Sequence, residues 1–495
     1  MSKSQLTVIL CIMLISLPTV ALATSPDAIR IPSEYAKVKE VCDNSFSSFE
    51  GAQTIIHIQD PHCNFEAQKN IALMLQYLIE EYGLKLILVE GGSGDVNLSF
   101  LRGYGDPKQR KEVAYKYLMN GEISGEEYLD IVSDYDIELY GIEDQGLYDA
   151  HLTSFLEIDP IMKEGLKDLE ALSYIVKALK PHIYNESLIQ LEKVKSDYEE
   201  KTVSLLEYCR SLLEIIRGSS LNAENYPQMR AFSETGELEK GIDFNRAEVE
   251  RNELIKKLAW FLTEGEVKEI IDKSKEFKEG IITPEQYYSF LKDAAEYVID
   301  VEDEYPELNA YIKYISISKE IKVPFLLEEI ESLEKEVKET LFTDSDQRTL
   351  NDISKSLDIL KGLLNLELTP QEYAYFKERR SQCMTTAWVD FLNTQCRKFG
   401  LRKSCVRSKA IDENLDRLER FYQLGAEREK AFIRNTLKKM NQSGEEIAVL
   451  IAGGFHTPGI SRMLKDRGYS FVVTVPVITQ KVDSQSYFSA LRAKK

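Results

Sequence analysis

Cysteine, histidine and tryptophan are scarce in this 495-residue chain, at seven, five and two residues, and no CxxC pair occurs. Cysteine this sparse builds no disulfide scaffold, and without CxxC pairs a zinc ribbon or a dithiol redox centre lacks its ligands. Only Cys396 and Cys405 leave a pairing open, in an oxidising compartment. Positive charge is in deficit, with 62 Lys and Arg against 82 Asp and Glu and a formal net charge of −20. That average repels nucleic acid and anionic lipid, so neither is an expected partner unless a local basic patch overrides it. The one dense basic run, residues 397–409 (RKFGLRKSCVRSK), reads as a solvated helical face. Beyond residue 23 no apolar run is long enough to span a bilayer.

The N-terminus reads as an export signal over residues 1–23. Lys3 supplies a positive start, residues 6–17 are apolar, and Ala21-Leu22-Ala23 is a small-x-small cleavage site. Pro18 cuts the apolar run short of an anchor, and Leu10 before Cys11 does not fit lipid attachment. The expected product is exported, periplasmic or secreted.

From there the pattern is α/β. Residues 24–50 carry few periodic signals. Residues 54–59 (TIIHIQ) and 84–89 (LKLILV) read as buried strands, and the segment from Asn64 to the Gly83 stop between them has helical spacing. Strand, helix and strand in so few residues form a βαβ unit with parallel strands. A third strand is expected at 136–140. Residues 155–370 turn rich in Glu, Lys and Leu at helical spacing, as in Leu326, Ile330, Leu333 and Val337, and predict a helical insertion of long antiparallel helices. A coiled-coil hairpin fits that block too, although no heptad is sustained. The α/β pattern resumes with a helix from Pro370 to about 392, another over 411–441, a strand at 447–452 and a last strand at 470–477. Between these two strands Thr457 is placed to cap a helix ending at Gly468. The fold expected is a mainly parallel central sheet built from both ends, 24–154 and 371–495, around an all-helical insertion at 155–370.

In a parallel sheet the strand C-termini share one crevice, where ligands bind. Asp60 and His62 follow the first strand, Glu90 the second, Glu143 the third, and His456 the late strand. Glycine pairs, Gly91-Gly92 and Gly453-Gly454, flank Glu90 and His456 and permit close backbone approach. Alone, each of these residues reads as a turn or helix cap. Their predicted convergence makes a site of two histidines and several carboxylates. His57 reads as a buried core or supporting residue, His151 as undecided and His182 as surface. Such a set admits two chemistries. His62, Glu90 and His456 can hold a divalent metal that activates water, or a histidine can act directly as general base beside a carboxylate. Cys63 is a weaker ligand or nucleophile option.

The corner Gln59-Asp60-Pro61-His62 resembles the G-x-x-H element of a superfamily that includes erythromycin esterases, haem-binding ChaN-like lipoproteins and TraB/TIKI-type proteins. Glu90 in LILVEGG is similar to its strand-end glutamate, Gly141-Ile142-Glu143 to its G-x-D/E element, and Gly453–His456 to its late G-x-x-H. Arg380-Ser381 with Met384 resembles its R-N/D-x-x-M helix. The resemblance covers about residues 50–150 and 370–480, with Gln59, Asp60 and Ser381 departing from the common pattern. It implies a site built on this fold more firmly than one reaction. On that basis an exported hydrolase of ester or amide bonds is expected, with a small-molecule or peptide substrate. His62 serves as base or ligand, Glu90 as its orienter or water activator, and His456 as acid or second ligand. Asp60 and Glu143 complete the site, and Arg380 with the four glycines contacts substrate. The alternative is a non-catalytic binder of a metal or of haem iron. A further reading makes the helical insertion a surface for a protein partner.

Overall fold

The computed structural model describes residues 26–44, 53–62, 64–217 and 221–479. The expected signal segment, its cleavage site and Cys63 lie outside them. The described residues divide into two compact units, one formed by the chain up to Ile175 and from Ile353 onward, the other by Val176–Asp352.

The first unit is an α/β sheet with seven strands: β1 (Ala36–Cys42), β2 (Thr54–Asp60), β3 (Leu86–Val89), β4 (Ser93–Asp95), β5 (Glu138–Ile142), β6 (Ile447–Gly453) and β7 (Ser470–Pro476). Their order is β1-β7-β2-β6-β3-β5-β4. β7, β2, β6, β3 and β5 pair in parallel. Both outer strands are antiparallel, β1 on β7 and β4 on β5. The sheet is therefore mixed, which corrects the expectation of a mainly parallel one. Both outer strands lack the apolar signal by which the others are recognised. β1 (AKVKEVC) buries little beyond Ala36 and carries Lys37, Lys39 and Glu40, as exposed edge strands do. β4 (Ser-Gly-Asp) has no apolar residue.

The parallel strands are buried on both faces, so they read as continuous apolar runs. On one face Ile56, Ile58, Ile87, Val449 and Val472 pack with Ile71, Met74 and Leu78 of helix α1 (Phe65–Tyr82). On the other, Ile55, Leu88, Leu450 and Val473 pack with Phe432 and Ile433. Helix α1 starts where expected, with Asn64 accepting from the Ala67 N–H, and stops at Gly83, which adopts a left-handed conformation (φ 65°). Four more helices surround the site: α2 (Gly125–Val132), α3 (Gln145–Ile183), α4 (Leu415–Ser443) and α5 (Thr457–Asp466). The single helix expected from Pro370 is broken into Pro370–Glu378, Arg380–Cys383 and Thr386–Lys398. The basic run is helical only at its two ends, because one helix ends at Lys398 and the next begins at Lys409. Cys396 and Cys405 are free thiols.

The second unit is helical. Its longest helix, Val323–Leu341, has 19 residues. Leu254, Leu258, Tyr287, Leu291 and Leu308 form one of its cores, and Leu191, Tyr208, Leu212, Met229 and Leu333 another. Its helices gather around these two clusters, and the block read as 155–370 also takes in most of the 39-residue α3 and the 21-residue Ser345–Asn365.

Candidate functional site

Four neighbouring strands, β2, β6, β3 and β5, point their C-termini to one edge; β2 and β6 end in Asp60 and Gly453, and β3 and β5 are followed at once by Glu90 and Glu143. In register, Asp60 lies opposite Gly453, and Val89 lies between Ile451 and Gly141. Glu90 and Glu143 therefore leave the sheet side by side, close to the glycines after β6.

The centre of this edge is a residue unremarked in the sequence, Arg428 of α4. It is 5% exposed, and its guanidinium donates to four side chains. Nε and Nη2 reach Glu143 at 3.1 and 2.7 Å, and Nη2 also reaches Glu90 Oε1 at 2.9 Å. Nη1 faces His151 Nδ1 at 3.0 Å and His456 Nε2 at 3.3 Å. A guanidinium has only protons to offer, so both ring nitrogens face it as acceptors, leaving the His456 proton on Nδ1, 3.3 Å from Glu429 Oε1. Burial alone would raise the Glu90 carboxyl. With His456 neutral, Arg428, His62 and the Gly453 N–H (2.7 Å to Oε2) hold it well below the usual carboxylate range. His151 is pushed down to about 3 by burial and by Arg428 beside it. Tyr148 and Phe432 lie against the guanidinium faces at 5.3 and 5.2 Å.

In front of this cluster stands a second group. His62 Nδ1 lies 2.6 Å from Asp60 Oδ2, and the His62 N–H donates to Asp60 Oδ1 at 3.0 Å, bending the corner to a φ of 23°. Gln68 Nε2 donates to the same Oδ1 at 2.6 Å, while Gln68 Oε1 accepts from the Gly125 N–H at 2.7 Å. Asp60 is 6% exposed and His62 retains 29% of its side-chain surface. Desolvation works against the imidazolium, but Asp60, Glu90 and Glu126 prevail and raise His62 to about 9. Glu126, at the start of α2, is 7% exposed with Oε2 unpartnered; burial, then Asp60, raise it to about 7. A Cβ built on Gly453 would meet His62 Nε2 at 2.9 Å and Glu90 Oε2 at 3.4 Å, so these two side chains flank one glycine. That glycine joins the two groups.

Of the residues expected from sequence, Glu90, Glu143 and His456 meet at Arg428, and Asp60 with His62 adjoins them. The glycines are mostly covered by protein: a Cβ would strike Val96 at Gly92, His62 at Gly453 and Gln59 at Gly454. Only Gly91 (φ 83°) faces open space. Arg380 lies elsewhere, paired with Glu419 and Asp416 of α4. These partners stand nine and twelve residues before Arg428, about 13 to 18 Å along the helix. His57 is fully buried, with Nδ1 3.0 Å from the Leu450 carbonyl and Nε2 3.0 Å from Thr457 Oγ1. Burial lowers it to about 4. Thr457, expected as a cap, is already helical and spends its hydroxyl on His57. His182 is exposed. His151, undecided from sequence, joins the cluster, and Arg428, Glu126 and Glu429 stand in no sequence motif of a site.

Among the described residues no three His, Cys, Asp or Glu side chains are arranged to hold a metal ion. The donor set expected for one, His62, Glu90 and His456, is a poor fit for a physical reason. Arg428 already takes a lone pair from Glu90 and from His456, and a divalent cation between them would be repelled by the guanidinium. Comparison with family models, curated proteins and solved structures finds no match to this chain.

Proposed function

We propose that the chain is a metal-independent hydrolase of ester or amide bonds, with Asp60 and His62 as its proton-transfer pair. The observation that carries this reading is the 2.6 Å contact from His62 Nδ1 to Asp60 Oδ2 at a half-open corner, with Nε2 beside Gly453 and Glu90. A carboxylate on Nδ1 holds the proton there and fixes the tautomer in which Nε2 is the accepting nitrogen. In the reaction His62 Nε2 takes a proton from water as its oxygen bonds to the carbonyl carbon. Asp60 stabilises the imidazolium that results. When the C–O or C–N bond breaks, the same proton passes to the departing alkoxide or amine. Glu90 adds negative charge on the far side of Gly453, while Arg428 compensates that charge from behind and fixes the carboxylate. The likeness of the Asp60–His62 corner, Glu90 and His456 to the erythromycin-esterase elements favours an ester.

The test is a panel of nitrophenyl esters and peptide anilides, assayed with purified protein in a chelator. Turnover that survives the chelator and is lost in His62→Ala supports the proposal. Turnover that needs an added divalent ion would contradict it. So would stoichiometric haem uptake with a Soret shift abolished in His62→Ala, which belongs to the binder reading.

A further inference from the structure

Six large apolar side chains that the sheet-containing unit leaves exposed fall within residues 100–119: Phe100 (64%), Tyr104 (70%), Val113, Tyr115, Tyr117 and Met119. The helix Pro107–Met119 accounts for four of them. It is begun by Asp106, whose side chain accepts from the Lys108 N–H, and by Pro107, and it buries only Ala114 and Leu118. Apart from the half-buried Arg110, which donates to the Arg102 carbonyl, the rest of it is exposed. Between the exposed rings stand Lys108, Lys111 and Lys116, all exposed, with no carboxylate partner among the described residues. The helix has a single acidic residue, Glu112. In a chain of net charge −20 this is a local reversal of sign, and the apolar residues are concentrated on it.

Such a surface has few suitable occupants. Apolar patches of this extent mark interaction sites. Tyr and Phe rings with lysine stems between them suit a boundary that is apolar on one side and wet on the other. The lysines require a negative counter-surface. A second copy of this face would bring three more lysines against them and repel. The patch also borders the site: Tyr115 meets Phe65 edge-on at 5.6 Å and Tyr128 at 6.3 Å, and Phe65 opens the helix that leaves the His62 corner.

We infer that residues 99–119 seat the protein on an anionic lipid surface. The lysines contact headgroups and the exposed rings enter the interfacial layer. The full chain should co-sediment with vesicles of phosphatidylcholine containing phosphatidylglycerol, and should leave them as salt is raised. The triple change Lys108→Glu, Lys111→Glu and Lys116→Glu should weaken binding on the order of 100-fold, from about 1 kcal/mol per lysine. Tyr104→Ser with Tyr117→Ser should weaken it at unchanged lipid charge. All five positions are exposed, so the helical circular-dichroism signal and its melting should stay as in the wild type. Four results would overturn the inference: no binding to the anionic vesicles; equal binding to phosphatidylcholine alone; binding untouched by both variants; or a concentration-dependent dimer that these variants dissociate. Co-sedimentation requires no turnover, so its outcome is independent of the hydrolase proposal.

Discussion

His62 sits between opposing pulls, desolvation against three carboxyl groups, and the carboxyls prevail to place it near 9. A base so placed is mostly protonated at neutral pH. Hydrolysis should therefore rise about tenfold per pH unit and level off near 9. Asp60→Asn removes the largest opposing charge, so the inflection should fall toward the ordinary histidine value of about 6.5 and the plateau by about 10²-fold or more. A pH profile of kcat/KM for both proteins checks this. The linked stability has the same sign: with its folded value above its unfolded one, the Asp60–His62 contribution is complete below about pH 6.5 and is lost as pH rises through 9. Glu126 works the other way. An acid raised to about 7 in the fold costs stability once the unfolded chain would ionise, so the cost is absent below about pH 4.5 and complete above 7. Glu126→Gln should stabilise the protein by up to about 3 kcal/mol at about pH 8 and leave it unchanged at about pH 4, measured by urea unfolding. Arg428→Met should destabilise by about 3–5 kcal/mol, because Glu90 and Glu143 would stay buried without their cation.

At the scale of elements, α2 meets α1 by close backbone contact as well as through Leu129. A Cβ on Gly125 would come within 2.2 Å of the Gln68 carbonyl, and Gln68 is what fixes Asp60. Gly125→Ala should thus cost about 1–3 kcal/mol in a denaturant titration and reduce activity more than stability. The inner strands and α1 were legible in the sequence because both faces of the strands are buried and the helix has a clear cap and stop. β1 and β4 were not, since an exposed charged edge and a Ser-Gly-Asp segment look like loop. The strand-end residues were legible for the same topological reason: parallel strands bring their termini together. Arg428 was hidden by its setting in a charged helix, where an arginine usually faces water. One signal was available. With Leu418, Phe421, Leu424 and Phe432, it lies on the buried stripe of α4, a position no arginine occupies without partners. The short Arg380 motif lies away from the site, where Arg380 pairs with the half-buried Glu419 and the exposed Asp416.

At the scale of the molecule, the residues proposed for the chemistry lie in the sheet-containing unit, and among the described residues the other unit is wholly helical. Val176–Asp352 has two apolar clusters of its own, so that segment expressed alone should be helical and melt cooperatively; a non-cooperative melt would mean those clusters are insufficient. The sheet-containing unit carries every residue assigned to proton transfer. Its centre is a buried guanidinium, and the chemistry proposed follows from that: a cation already in place leaves water activation to a histidine and its carboxylate. The most direct test is hydrolysis of nitrophenyl esters in a chelator by wild type, His62→Ala and Asp60→Asn proteins. A metal-independent Asp60–His62 hydrolase predicts turnover by the wild type, none above background in His62→Ala, and in Asp60→Asn a residual rate with its inflection moved toward neutral pH. Equal turnover in all three, or activity restored only by a divalent ion, would contradict it.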